Sequence, residues 1–290
     1  MKQKEKSHQK SSYYQNKDFY KKRWNKGKKE YETRDNKEEQ VQELVLEGRN
    51  AVLEALKSGR SIDKLFIQDG QLQGSIQQII YEAKQEKIVI QRVNKQKLDA
   101  LSITGNHQGV IAYVAAYNYV EVEDILQIAK EKEESPFILL LDEISDPHNL
   151  GAILRTANAA GVHGVIIPKR RAVGLTATVA KVSAGAIEYV KVARVSNLVQ
   201  TIEELKKQGL WMVGSDMDGE VMYTMNITGP IGIVIGNEGE GISRLVKEKC
   251  DFIAKIPMCG KISSLNASVA SSLMMYEVVR QRHYTSNIMR

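Results

Sequence analysis

Three short stretches carry the residues best suited to chemistry: DPHNLGAILR from Asp146 to Arg155, IGNEGEGIS from Ile235 to Ser243, and IPMCGKISSLNASVASSLMMYE from Ile256 to Glu277. In the first, Leu150, Ile153, Leu154 and Ala157 recur at helical spacing and make an apolar face, which rotates Arg155 away from it. Taken alone, Asn149 reads as a helix N-cap and Arg155 as a surface residue. A guanidinium is a poor proton acceptor but a strong stabiliser of developing negative charge. In the second stretch Glu238 sits among Gly236, Gly239 and Gly241, so the backbone can turn sharply and approach a ligand closely. A solvated Gly-rich turn explains the same residues equally well. In the third, Ser264, Leu265 and Asn266 open a helix rich in Ala and Ser, whose first N–H groups have no helical partner and can face a ligand. Ser268 is a weaker candidate, because its hydroxyl can bond its own backbone instead.

The elements that position these residues follow from hydrophobic period. Between 43 and 117, LVLEG, DKLFIQDG, IVIQRVN and QGVIAYVAAYNY read as strands, and RNAVLEALKSG, GSIQQIIYEAKQEK and KQKLDALS as helices, giving a small α/β domain. Residues 118–135 are highly charged and end at Pro136, which suits a linker with one or two amphipathic turns. From 136 to 290 the runs FILLLDEI, GVIIP, EYVKVARV, WMVGSD, IGIVIG and FIAKIP alternate with helical segments. That alternation implies a parallel sheet covered on both faces. Ligands of such sheets bind at the carboxyl ends of strands, which is where all three stretches fall.

Composition excludes several classes. No apolar run approaches the ~20 residues of a membrane span, and the start MKQKEKSHQK lacks the apolar core of a secretory signal. The expected location is the cytoplasm, and no membrane partner is expected. Cys250 and Cys259 have no His or Cys partner at metal-binding spacing, so no metal is expected and both read as small, partly buried thiols. The glycine pattern GxxGxG is not the GxGxxG of dinucleotide folds, and no Lys-containing phosphate loop occurs. The net charge of +6 is concentrated at one end: residues 1–34 hold 12 Lys and Arg against 4 acids, leaving 29 against 31 in the remainder. Residues 1–40 have almost no aliphatic side chains and read as a disordered basic tail. Its Tyr, Phe and Trp residues interleaved with Lys and Arg suit phosphate contact and base stacking, although a solvated tail has the same composition.

Together with LDEISDPHNLGAILRTANAAG from Leu141 to Gly161, the two later stretches resemble the three signature motifs of the SpoU (TrmH) family of RNA ribose 2′-O-methyltransferases, a family of the knotted SPOUT class. The resemblance covers roughly residues 137–282. The segment before it, with GRNAVLEAL at Gly48 and HQGV at His107, is similar to the L30e-like RNA-binding domain of the 23S rRNA guanosine methyltransferase branch. The resemblance implies an α/β protein: a C-terminal methyltransferase domain with a trefoil knot, and a small N-terminal substrate-binding domain whose junction loops at Gly48–Asn50 and Gly105–Gly109 can meet RNA. His107 reads equally as an ordinary loop residue.

By the same resemblance, Gly236, Ile256 and Leu265 would contact S-adenosylmethionine through their backbone, and Glu238, Ser264 and Asn266 would complete the polar site. Asn149 would orient the RNA or Arg155. Arg155 would act at the ribose 2′-hydroxyl, either taking its proton or stabilising the alkoxide while water or phosphate takes it. The implied partners are 23S rRNA or a ribosomal precursor and a second copy of the chain, with the sites near the dimer interface. The implied role is rRNA processing. Met274, Met275 and Tyr276 read as core or subunit contact. Two alternatives remain: a tRNA ribose methyltransferase of the same family, and a ribosome-associated RNA-binding protein without catalysis. The second is disfavoured by the presence of every polar motif residue.

Overall fold

A computed structural model describes residues 44–70 and 74–284. The basic tail expected over 1–40 lies outside the described residues.

The first sheet has the order β1-β4-β2-β3. Strand β4 (Val110–Val114) runs antiparallel to β1 (Val45–Glu47) and to β2 (Ile62–Gln68), and β2 pairs in parallel with β3 (Val89–Val93). Both faces of β2 are apolar because both are covered. Leu65 and Ile67 pack with Val52 of α1 (Arg49–Lys57) and with Ile76 and Ile79 of α2 (Ser75–Gln85). On the other face Phe66 packs with Leu98 of α3 (Lys95–Leu101) and Ile111. The last strand is shorter than the run QGVIAYVAAYNY suggests, since pairing stops at Val114.

The charged segment after it holds a longer helix than the one or two turns expected. Helix α4 (Val122–Glu131) starts with a capping box between Glu121 and Asp124, which satisfies two orphan N–H groups at once. Its Ile125 is fully buried against the second sheet.

That second sheet is entirely parallel, with the order β10-β8-β9-β5-β6-β7. Its members are β5 (Phe137–Leu141), β6 (Gly164–Pro168), β7 (Lys191–Val195), β8 (Trp211–Val221), β9 (Ile231–Ile235) and β10 (Phe252–Lys255). FILLL and IGIVI are buried at every position, as strands covered on both sides must be. Leu139 and Leu141 pack under α5 (Pro147–Ala159), α6 (Ala177–Val182) and α9 (Ala267–Tyr284). Ile138 and Leu140 pack under α4, α7 (Leu198–Lys207) and α8 (Arg244–Lys249). The chain leaves β5 towards β6 and β7, then returns to place β9 on the other side of β5. The carboxyl ends of β5 and β9 therefore flank the point where strand order reverses, the usual ligand crevice of an open sheet.

The first sheet is fixed to the second by a buried polar latch. Asp63 at the start of β2 accepts from Arg194 Nη1 of β7 at 2.7 Å and from the Tyr119 hydroxyl at 2.6 Å. Leu175 N in turn donates to the Tyr119 oxygen at 2.9 Å. The Arg194 guanidinium also lies 5.3 Å from the Tyr119 ring centroid, a cation–π distance. Burial pushes the Asp63 carboxyl up and the Arg194 charge opposes that shift. Gly174 permits the approach, because a Cβ there would lie 2.3 Å from Asp63 Oδ2. Among the described residues, no helix is long and apolar enough to cross a membrane.

Candidate active site

Helix α5 starts one turn earlier than its sequence suggests. Asp146 is its N-cap, accepting from His148 N at 2.9 Å, and Pro147 occupies the first turn, where its missing N–H costs nothing. Asn149 is therefore not the cap. It lies inside the first turn, is buried, and turns its amide towards the ends of β9 and α9.

Three of the expected residues meet there. Asn149 Nδ2 donates to Glu238 Oε1 at 2.9 Å, and Asn266 Nδ2 donates to Asn149 Oδ1 at 2.9 Å. Asn266 Nδ2 also donates to Glu238 Oε1, and Ala267 N reaches the same oxygen at 3.2 Å. Helix α9 begins at Ala267, so Ser264, Leu265 and Asn266 precede it rather than form its first turn. Asn266 Oδ1 accepts from Ser268 N at 3.0 Å and from Ser268 Oγ at 2.5 Å. Ser268 is thus engaged in ordering the helix start.

The Gly-rich loop after β9 is shaped by residues that sequence reasoning passed over. Asn237 Oδ1 accepts from Gly239 N at 2.9 Å and from Glu240 N at 2.7 Å, an Asx turn that the dipeptide context of Asn237 could have signalled. Asp142, buried at the end of β5, accepts from Ser243 N at 2.8 Å and closes the loop's far end. Gly236 cannot carry a side chain, since a Cβ would lie 2.0 Å from the backbone of Gly241.

Between this loop and the segment from Ile256 to Ala267 lies a cavity of about 360 Å³, within the range of small-molecule sites. Gly236, Glu238, Ile256, Ser264 and Leu265 all line it. Its charged wall is mostly acidic, with Asp216, Asp218, Glu238 and Glu240 against Lys247. Lys247 is already paired with Asp216 at 3.0 Å and Asp218 at 3.2 Å, and the hydrogen bond to Asp216 raises its pKa. Such a wall suits a sulfonium-bearing ligand and repels the phosphates of a nucleotide. A second cavity, of about 630 Å³, adjoins the first and shares Asn237, Glu238, Gly239 and Ala267 with it. Asn149 faces this second space.

Arg155 is not part of the cluster. It is exposed, lines neither cavity, and has no hydrogen-bond or ion-pair partner among the described residues. Its neighbour Thr156 ties α5 to α9, with Thr156 Oγ1 accepting from Ser272 Oγ at 3.1 Å. Met274 and Met275 are fully buried, whereas Tyr276 is exposed. In the first domain, the two junction loops meet: Arg49 Nε donates to Gln108 O at 3.1 Å. His107 is buried, with Nδ1 accepting from Gly109 N at 3.0 Å and Nε2 donating to Asp99 at 2.9 Å. It therefore braces the loop. The two cysteines differ: burial pushes the Cys250 thiol up to about 12, and Cys259 is exposed, not partly buried.

A parallel sheet with a carboxylate-lined cavity at the carboxyl ends of β8, β9 and β10 and a second cavity beside it at the switch point, latched to a small mixed-sheet domain, defines a two-domain α/β protein with a ligand crevice. Comparison with known proteins narrows the class. Residues 136–276 match the SpoU rRNA Methylase family, and residues 45–120 match the RNA 2′-O ribose methyltransferase substrate-binding family. A Bacillus subtilis protein assigned to the TrmH family of tRNA/rRNA methyltransferases is 56% identical over 237 residues, covering 81% of this chain and 95% of its own. A Staphylococcus haemolyticus relative assigned to the same family is 53% identical, covering 84% and 98%. Among solved structures, the SpoU methyltransferase AviRb of Streptomyces viridochromogenes aligns with a TM-score of 0.53 and 25% identity, over 85% of this chain and 92% of that one. Its complex with the cofactor AdoMet shares the fold, with a TM-score of 0.52 at 24% identity over 82% and 90%. The chain belongs to the SpoU/TrmH family of RNA methyltransferases.

Proposed function

We propose that the chain 2′-O-methylates the ribose of a guanosine in 23S rRNA or its ribosomal precursor, acting in the cytoplasm as a homodimer whose C-terminal stretch is threaded as a trefoil knot. One observation carries this reading: Glu238, held by the amides of Asn149 and Asn266, lines both the acidic cavity and the larger cavity beside it. The cofactor supplies an electrophilic methyl group. The backbone around Gly236, Ile256 and Leu265 holds it, while Glu238, Ser264 and Asn266 fix the polar edge nearest the RNA. Methyl transfer is an in-line displacement, so this wall's task is alignment.

Arg155 brings the cation to the 2′-oxygen. Arg155 has no partner among the described residues, and α9, which packs against its helix, carries an exposed apolar stripe of Val269, Leu273 and Tyr276 at i, i+4, i+7 spacing. A second copy seated on that stripe would bury it and enclose Arg155. The choice of rRNA rests on the complete substrate-binding domain before the methyltransferase domain. The test is to incubate the protein and methyl-labelled S-adenosylmethionine with unmethylated 23S rRNA and tRNA transcripts, digest to nucleosides, and weigh the fragments. Label on the ribose of a guanosine from 23S rRNA is the expected result. Label on a base overturns the reaction, and label confined to tRNA overturns the substrate.

A further inference from the structure

The larger cavity is built by both domains. Lys64 of β2 reaches its wall from the substrate-binding domain, facing Asn149 and Glu238 from the catalytic one. The strand that carries Lys64 is held in place, because its neighbour Asp63 is the centre of the buried latch to Arg194 and Tyr119. The Lys64 ammonium lies 5.6 Å from the Phe66 ring centroid, a contact that steadies a cation without neutralising it. Among the described residues Lys64 has no ion-pair partner. Two other carboxylates face the cavity, and both are engaged. Glu143 pairs with Arg171 at 2.9 Å, and Asp146 caps α5 through His148 N.

The cavity mouth also holds unusual backbone. Glu143 has φ 61° and Arg171 φ 58°, the left-handed region that non-glycine residues enter at a cost and that clusters at ligand-handling sites. Those two strained residues are the ion pair itself, one following β5 and the other following β6. The cavity thus combines a fixed wall of amides, one strained charged rim and, from the other domain, a lysine with no ion-pair partner among the described residues.

Resting on the reading of this site as a ribose methyltransferase, we propose that Lys64 is a substrate-positioning residue: its ammonium grips an RNA phosphate flanking the target ribose, and the Asp63 latch sets where that phosphate lies relative to Glu238. The geometry also gives the path of the strand. Gln68 N bonds Gly109 O, so the junction loops near Gly48 and Gly109 lie at the far end of β2, about 13 Å from Lys64 at ~3.3 Å per residue. RNA held by those loops crosses the sheet to reach the catalytic cluster, and Lys64 is the cation at the near end of that path.

The experiment uses the full-length chain, with 23S rRNA and tRNA transcripts as separate probes, and compares wild type, Lys64→Ala and Lys64→Arg. For the methylated transcript, Lys64→Ala should raise KM about tenfold, as loss of one charge-assisted phosphate contact does, and shift kcat by less than about threefold. The slope of log KM against log salt should fall by roughly 0.7 to 0.9. Lys64→Arg should restore both values, and S-adenosylmethionine affinity by calorimetry should match wild type in each variant. Unchanged KM and salt slope in a folded Lys64→Ala protein would overturn the proposal, as would loss of cofactor affinity. If wild type methylates neither transcript on ribose, the function itself fails, and that result is read before any variant is compared.

Discussion

Truncating Asp63 to Ala tests whether the latch holds the two sheets together. The Arg194 side chain is 8% exposed and its carboxylate partner 11%, so removing the carboxylate leaves a buried cation without its counter-charge. Breaking a buried pair from one side costs about 3–5 kcal/mol, because the surviving charge is still desolvated. Here the lower figure applies. Arg194 Nη2 keeps its bonds to Asp63 O at 3.0 Å and Lys169 O at 3.2 Å, while the Tyr119 hydroxyl loses its acceptor. We expect about 3 kcal/mol for Asp63→Ala and less for Asp63→Asn, which keeps an oxygen for Tyr119. The double variant Asp63→Leu with Arg194→Met should recover much of the loss, because apolar groups of similar volume replace the pair without stranding a charge. Urea unfolding of the full chain, with the slope checked for constancy across variants, measures each term. A loss below about 1 kcal/mol for Asp63→Ala, or a double variant no more stable than the single one, would refute the latch as an energetic coupling.

Other expectations address the site and its surroundings. Gly236→Ala would place a Cβ 2.0 Å from the Gly241 backbone, so the loop must move; S-adenosylmethionine affinity should fall at least about tenfold in a protein that still folds, and wild-type affinity would remove this loop from the cofactor site. Arg155→Ala and Arg155→Lys should each lower kcat by about 10²–10³ while cofactor affinity stays within a few-fold, and near wild-type turnover in the Lys variant would exclude a role for the planar guanidinium. His163 is buried between Phe137 N and Glu134 Oε2, at 3.0 Å from each, and burial lowers its pKa from the ordinary 6.5. Below pH 6.5 the unfolded chain then binds the proton more readily, so stability falls as pH drops through that value. Imidazole NMR finding His163 protonated at pH 6.5 in the native protein would contradict this.

The elements were legible in the sequence where burial repeats regularly. Phe137–Leu141 and Ile231–Ile235 are apolar at every position because helices cover both faces of the sheet, and the period of α7 follows its buried Leu198, Ile202 and Leu205. The Gly-rich loop was legible because Gly236 has no alternative. What stayed hidden depends on approach in space. Asp63 and Arg194 are 131 residues apart, and nothing local to either marks the other as its partner. Lys64 looks like any polar residue on a strand until the second domain closes the cavity around it. Asn149 was misplaced by one turn because Asp146 and Pro147 compete for the same helix start, and the Asp-Pro pair caps it. The expected linker became nearly three turns of helix because Ile125 and Ala129 find a sheet to pack on.

The hydrogen bonds of the polar cluster bear on how the site handles a proton. Glu238 Oε1 already accepts from Asn149, Asn266 and Ala267 N, so that oxygen has little left to offer a ribose hydroxyl. Asn149 and Asn266 are likewise spent on each other, on Glu238 and on Ser268. A group whose lone pairs are committed to neighbours serves by holding a shape. Glu238, braced by both amides, therefore stands rigidly between the acidic chamber and the cavity that Lys64 lines. The first chamber sets four carboxylates against Lys247, and the second sets Glu143, Asp146 and Glu238 against Lys64 and Arg171, so the proposed phosphate contact is a local property of the Lys64 wall. Arg155, proposed above to act at the ribose oxygen, stands outside both cavities with no partner among the described residues, so on that proposal a completed site depends on something that brings Arg155 to the RNA.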